Sequence, residues 1–152
     1  MIKQIIDAFK ETSLKHILVN DVFYQDQINL QPNNKYFQVS IENDPIMTTI
    51  GKLQLNINVL GLGDELETQD KALQIGLAII DKTVATHRSI MNLDTCSALA
   101  ISKISDDLAA GVRFSIVLTI PLPIDYCTLN DYFSDKVKSE EPTLDLKPIL
   151  LK

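Results

Sequence analysis

An α+β fold is predicted for this 152-residue chain: an antiparallel β-sheet of long hairpins with a long helix packed across it, an N-terminal helix and an extended C-terminal arm. Three observations predict it. Phe37, Val39 and Ile41 alternate with polar residues, and after a proline-containing break Leu53, Leu55, Ile57 and Val59 do the same. A third alternating run, Val112 to Ile120, stands near the end of the chain. Between the second and third runs the apolar period changes from two to three or four, which is the step from strand to helix. Runs of strands with the helices set to one side, in place of regular βαβ alternation, point to α+β.

The elements follow in order. Ile2, Ile5, Ile6 and Phe9 recur at helical spacing, so residues 2 to about 14 form an amphipathic helix. Ile17-Leu18-Val19 and Val22-Phe23-Tyr24 make a short extended stretch, and the QPNNK segment from Gln31 to Lys35 is a loop. The strand at Phe37–Ile41 ends at Asn43-Asp44-Pro45, since proline cannot donate to a ladder. It pairs antiparallel with the next strand, from Ile50 to Leu60, which could span about 35 Å. That length suggests a strand that outgrows its own domain.

Gly61-Leu62-Gly63 ends this strand, and Asp64 with Glu67 has the spacing of a helix-capping pair. The helix then carries two apolar stripes. Leu73, Leu77, Ile80 and Val84 are expected against the sheet, with Leu77 and Ile80 buried there; Ala72, Ile75 and Ile79 adjoin them. So wide an arc means either that the helix is covered on two sides or that its second stripe, with Ile75 and Ile79, meets a neighbouring subunit.

Strand pattern returns at Ala98–Ile101, followed by a turn at Ser105–Gly111 and the strand ending at Pro121. Thr128 to Phe133 suits one helical turn. Residues 1–133 are read as a single domain and 134–152 as the arm. In the arm Leu144, Leu146, Ile149, Leu150 and Leu151 stand between charges and two prolines, too scattered for a core but suited to anchoring on a neighbour.

Composition narrows the function. No apolar run reaches the ~18–20 residues of a membrane span, and the acidic residue and helical period at the N-terminus do not suit a signal peptide. The net charge of −6 argues against wrapping on phosphates, although an acidic wall would let DNA slide past without sticking. Cys96 and Cys127 form no CxxC and read as reduced thiols.

No catalytic, cofactor-binding or metal-binding set emerges. Gly61-Leu62-Gly63 opens like a dinucleotide fingerprint, but Leu66 stands where a third glycine is required. His16 and His87 lack partners at metal-ligand spacing and read as surface or interface residues. Asp106 and Asp107 could hold Mg²⁺ in principle, yet adjacent aspartates in a hairpin turn point apart and serve the turn.

The order of elements resembles that of phage tail-terminator and tail-completion proteins and of head-to-tail neck ring proteins. The segments carrying the resemblance are IKQIIDAFKE, the hairpin from YFQVSIEND to GKLQLNINVLG, the helix DKALQIGLAIIDKTV and the closing hairpin ALAISKISDDLAAGVRFSIVLTIPLPID, together Met1 to Tyr126. The resemblance implies a structural virion protein without enzymatic activity, made in the host cytoplasm. It would form a homo-oligomeric ring, hexameric or dodecameric, beside portal, neck or tail-tube proteins, with DNA passing through the lumen unbound. The arm from Ser134 is not part of the usual pattern. The alternatives are a cellular α+β interaction or adaptor domain and a small enzyme using the carboxylates or a cysteine.

Overall fold

A computed structural model of the chain describes residues 2–24, 36–42, 45–102 and 110–121. The order of elements is α1 (Ile2–Leu14), β1 (Val19–Tyr24), β2 (Phe37–Ile41), β3 (Ile46–Thr49), β4 (Lys52–Gly61), α2 (Glu65–Thr86), β5 (Asn92–Ile101) and β6 (Ala110–Thr119). The strands form one six-stranded sheet in the order β1-β2-β4-β6-β5, with β3 joined to β4. The fold is α+β, as expected. The sheet is mixed, however, because β1 pairs with β2 in parallel while every other pairing is antiparallel.

Sequence and structure agree on the first helix and on the β2–β4 pairing, where Val39 lies opposite Val59 and Ile41 opposite Ile57. Asp64 caps α2, its carboxylate accepting from the Glu67 backbone N–H at 3.2 Å. Two readings of the strands change. β3 falls in a segment without alternation and was not expected. It pairs with the first residues of β4, Met47 opposite Leu53, through a turn in which Gly51 takes φ +86°. β4 therefore does not outgrow its domain. β6 covers one side of it over its whole length, and β2 and β3 share the other in tandem.

The core is a single layer of side chains between the helices and one face of the sheet. Leu53, Leu55, Ile57 and Val59 of β4 and Val112, Phe114, Ile116 and Leu118 of β6 supply the floor, with Val39 and Ile41 of β2. Ile5, Ile6 and Phe9 of α1 close it on one side. Alternation along β4 and β6 is what sends these residues to the same face.

α2 meets this floor with the stripe that was expected at an interface. Ile75 and Ile79 are 3% and 2% exposed and belong to the core, together with Ala72, Ile80 and Thr83. Leu77, expected in the core, is 47% exposed. The reason lies at Gly76. A Cβ added there would stand 2.0 Å from Cε2 of Phe114, so the helix presents its one notch to the aromatic ring and Leu77 turns outward, while Leu73 packs partly buried at the margin of the core. Ile80, at the border of both stripes, is buried as expected.

The chain divides into two units, Met1–Pro121 and Leu122–Lys152. The second lies outside the described residues, and with it the expected turn of helix at Thr128–Phe133, the boundary after Phe133, and the arm with Leu144, Leu146, Ile149, Leu150 and Leu151. The expected turn containing Asp106 and Asp107 also lies outside them.

This packing fixes the outcome of two truncations on one helix. Ile79→Ala removes buried methyl groups and leaves a cavity, so it should cost about 2–5 kcal/mol of stability. Leu77→Ala, at a half-exposed position, should cost about 0.5 kcal/mol or less. Urea denaturation of both variants measures the difference, and equal losses would contradict this placement of α2.

Candidate functional site

With α2 seated over β4 and β6, the outer edge of the sheet is covered little; Gln69 of the helix reaches its end, the side-chain amide donating to the Ile101 carbonyl at 3.0 Å. All residues of β5 from Asn92 to Ala100 are exposed, although the strand is paired with β6 along its length. Its register puts Cys96, Ala98 and Ala100 opposite Ile116, Phe114 and Val112, hence on the helix-facing side. These side chains are too small to reach α2. An open groove of about 380 Å³ remains, walled by Leu66, Asp70 and Leu73 of the helix and floored by Ala98, Ala100 and Val112. Leu77 and Leu93 continue the apolar surface beyond it.

A second apolar surface lies at the opposite edge of the sheet. Ile46 and Met47 of β3 are exposed, and Ile50 in the turn is 88% exposed. The turn is tied to the sheet by the Ile120 N–H, which donates to the Gly51 carbonyl at 2.7 Å. The backbone of the turn is thus fixed, while its large side chains stand exposed.

The sheet face away from the helices is polar. Glu42 accepts from Arg113 at 3.1 Å and from the Asn58 amide at 3.3 Å, and the Ser115 hydroxyl donates to Asn56 Oδ1 at 2.8 Å. At the end of the sheet Lys52 donates to Asp94 at 2.8 Å. Each charged group in this network meets a donor or acceptor of opposite character, so the network is cross-strand stitching.

Near the C-terminal ends of the two helices, Glu11, Lys15, His16, Ala78, Ile79, Lys82 and His87 line a cleft of about 430 Å³. The two histidines, far apart in sequence, are brought to the same cleft. Their shared signal was position alone: each follows the end of a helix. His16 Nδ1 accepts from the Leu18 N–H at 3.1 Å, and His87 Nδ1 donates to the Thr83 carbonyl at 2.9 Å. Both rings are thus oriented by backbone. The nearby Thr86 hydroxyl is committed to the Lys82 carbonyl at 2.7 Å. Among the described residues no group of three or more metal-ligating side chains converges.

Cys96 lies on the exposed edge. Desolvation by partial burial pushes its thiol pKa above the ordinary value. That direction leaves less thiolate at neutral pH and makes it a poor nucleophile.

No protein-family model matches this chain, and no curated protein matches it. The apolar edges, described from their own geometry, are therefore the strongest functional feature of the subunit.

The Cys96 environment is open to direct measurement. In a Cys127→Ser chain, alkylation of Cys96 by iodoacetamide at neutral pH should run slower than alkylation of free cysteine. Its rate should reach half-maximum at a higher pH than for the free amino acid. A profile displaced to lower pH would instead mark an activated thiol.

Proposed function

We propose that this chain is a structural subunit of a phage head-to-tail connector (neck) or tail-terminator ring, through whose lumen DNA passes. One observation carries the reading. Seven of the ten exposed large apolar residues among the described ones fall at two different edges of one sheet: Ile46, Met47 and Ile50 at β3; Leu93 of β5 on the helix side with Leu66 and Leu77 of α2, and Leu99 of β5 on the other face; Ile2, Leu14 and Ile17 lie in and just after α1. A subunit with two unlike sticky surfaces on opposite sides joins its copies head to tail, and head-to-tail contacts close into rings when the rotation permits. Monomeric proteins seldom leave such patches uncovered.

Two further features support the same reading. The net charge of −6 suits a channel wall that DNA passes without binding. The order of elements read from the sequence resembles that of the ring proteins named above. In such a ring the segment from Ser134, with Leu144, Leu146, Ile149, Leu150 and Leu151, anchors on a neighbouring portal, neck or tube protein.

Negative-stain images of the purified chain, alone and with tail tubes, test the proposal. Annuli, or tubes capped at one end, are the expected result. A chain truncated after Phe133 should remain folded and form annuli but lose its hold on the tube. A defined one-to-one complex with a cellular protein, without annuli, would replace the ring with an adaptor.

A further inference from the structure

The cleft at the ends of the two helices has properties that a purely structural subunit does not use. Its volume, about 430 Å³, is that of a small-molecule pocket. Two stretches far apart in sequence build it, residues 11–16 at the end of α1 and residues 78–87 along the second half of α2 and just past it. Much of its wall is hydrocarbon, from Ala78, Ile79 and the methylene stems of Lys15 and Lys82.

Charge sets the cleft apart from the rest of the chain. The whole sequence carries net −6, yet the lining holds two lysines against one glutamate, with two histidines beside them. Glu11 lies 3.6 Å from Lys15 and answers that lysine. Lys82 has no ion pair among the described residues.

Nor is the Lys82 charge spent on a helix end. Cations are favoured at a helix C-terminus because the last carbonyls lack partners. Here those carbonyls are already served. The Thr83 and Val84 carbonyls accept from the His87 N–H, and the Lys82 carbonyl accepts from the Thr86 hydroxyl. On α1 the Thr12 and Ser13 carbonyls accept from the N–H groups of Lys15 and His16.

The two rings add direction. Because His16 Nδ1 accepts from the Leu18 N–H, the proton of the neutral ring sits on Nε2, which is then a donor. His87 Nδ1 donates to the Thr83 carbonyl, which leaves its Nε2 with a lone pair. A carboxylic acid suits this set: His87 Nε2 and the carboxyl group share one proton, while His16 Nε2 and Lys82 donate to it.

We propose that this cleft binds a small organic anion, a carboxylate carried on an apolar body of about eight or nine carbon atoms. The head lies toward Lys82 and the two histidines, and the body lies along Ala78 and Ile79. Bare phosphate fits less well, since the wall is largely hydrocarbon and only one lysine is uncommitted. The proposal goes beyond the ring reading and does not depend on it.

Equilibrium dialysis of the full chain at neutral pH tests it, with radiolabelled octanoate and phenylpropionate as probes, one body flexible and one aromatic. At least one acid should saturate at one molecule per chain, half-filled below about 1 mM. Octanol, the same body without the charge, should bind about tenfold more weakly than octanoate. Lys82→Met keeps the stem and removes the ammonium, so it should weaken binding of the acid about tenfold, the effect of one charge-assisted hydrogen bond. Lys71→Met, at an exposed lysine of the same helix outside the cleft, should change nothing. Thermal melts check that both variants fold. Failure of both acids to saturate, octanol binding as well as octanoate, or a Lys82→Met chain that binds like wild type would each overturn the proposal. The last result with a lowered melting temperature would make Lys82 a helix-end charge and nothing more.

Discussion

The structure depends on the close approach of α2 to the sheet at Gly76, where the ring of Phe114 occupies the volume that a side chain would fill. That contact sets the rotation of the helix. Ile75 and Ile79 are carried into the core on either side of it, Leu66 and Leu77 are carried outward, and Leu73 packs partly buried at the core's margin. It also sets the lateral position of the helix, over β4 and β6, so that α2 shields β5 poorly. The open groove and the bare edge strand follow from one glycine facing one phenylalanine. A residue with a Cβ at position 76 would lift or turn the helix, and interiors packed to crystal density give way to such changes only at cost.

Much of the fold was legible in the sequence because alternation and helical period are local properties. Both helices and the strands β2, β4 and β6 were visible that way, as was the Asp64 cap. Two things were not local. The parallel pairing of β1 with β2 depends on the path of the connection, which no residue pattern records. The choice between two apolar stripes on α2 depends on what the facing strand presents. Leucines at 73 and 77 looked like the better core, but Phe114 required a small residue opposite. The isolated glycine inside a helical pattern was the one available sign, since such a residue often has a packing reason. β3 escaped notice because four residues after a proline carry too little period to read. The groove was illegible for a related reason: Ala98 and Ala100 reveal nothing until the neighbouring helix is known to leave them uncovered.

The distribution of polar groups sharpens the contrast between the two faces of the sheet. On the far face Glu42, Asn56, Asn58, Arg113 and Ser115 satisfy one another across three strands, in a network that holds register. At the edges the apolar side chains of β3 and β5 have few described neighbours on their outer sides. Charged residues concentrate on the outer surface of α2 and at the helix ends. Strand pairing within the subunit is thus stitched by polar groups on one face, while exposed apolar side chains lie at the edges.

The tandem covering of β4 has a mechanical consequence. β2 pairs with Ile57 to Leu60, the Glu42 N–H reaches the Asn56 carbonyl, and β3 takes over only at Gln54. Between them, at Leu55, the sheet has a seam on that side. β6 runs past the seam unbroken and bridges it. The β3 corner is consequently attached along a single ladder, that to β4, and takes no part in the pairings of β1 or β2. Fraying of that one ladder would leave the other four intact.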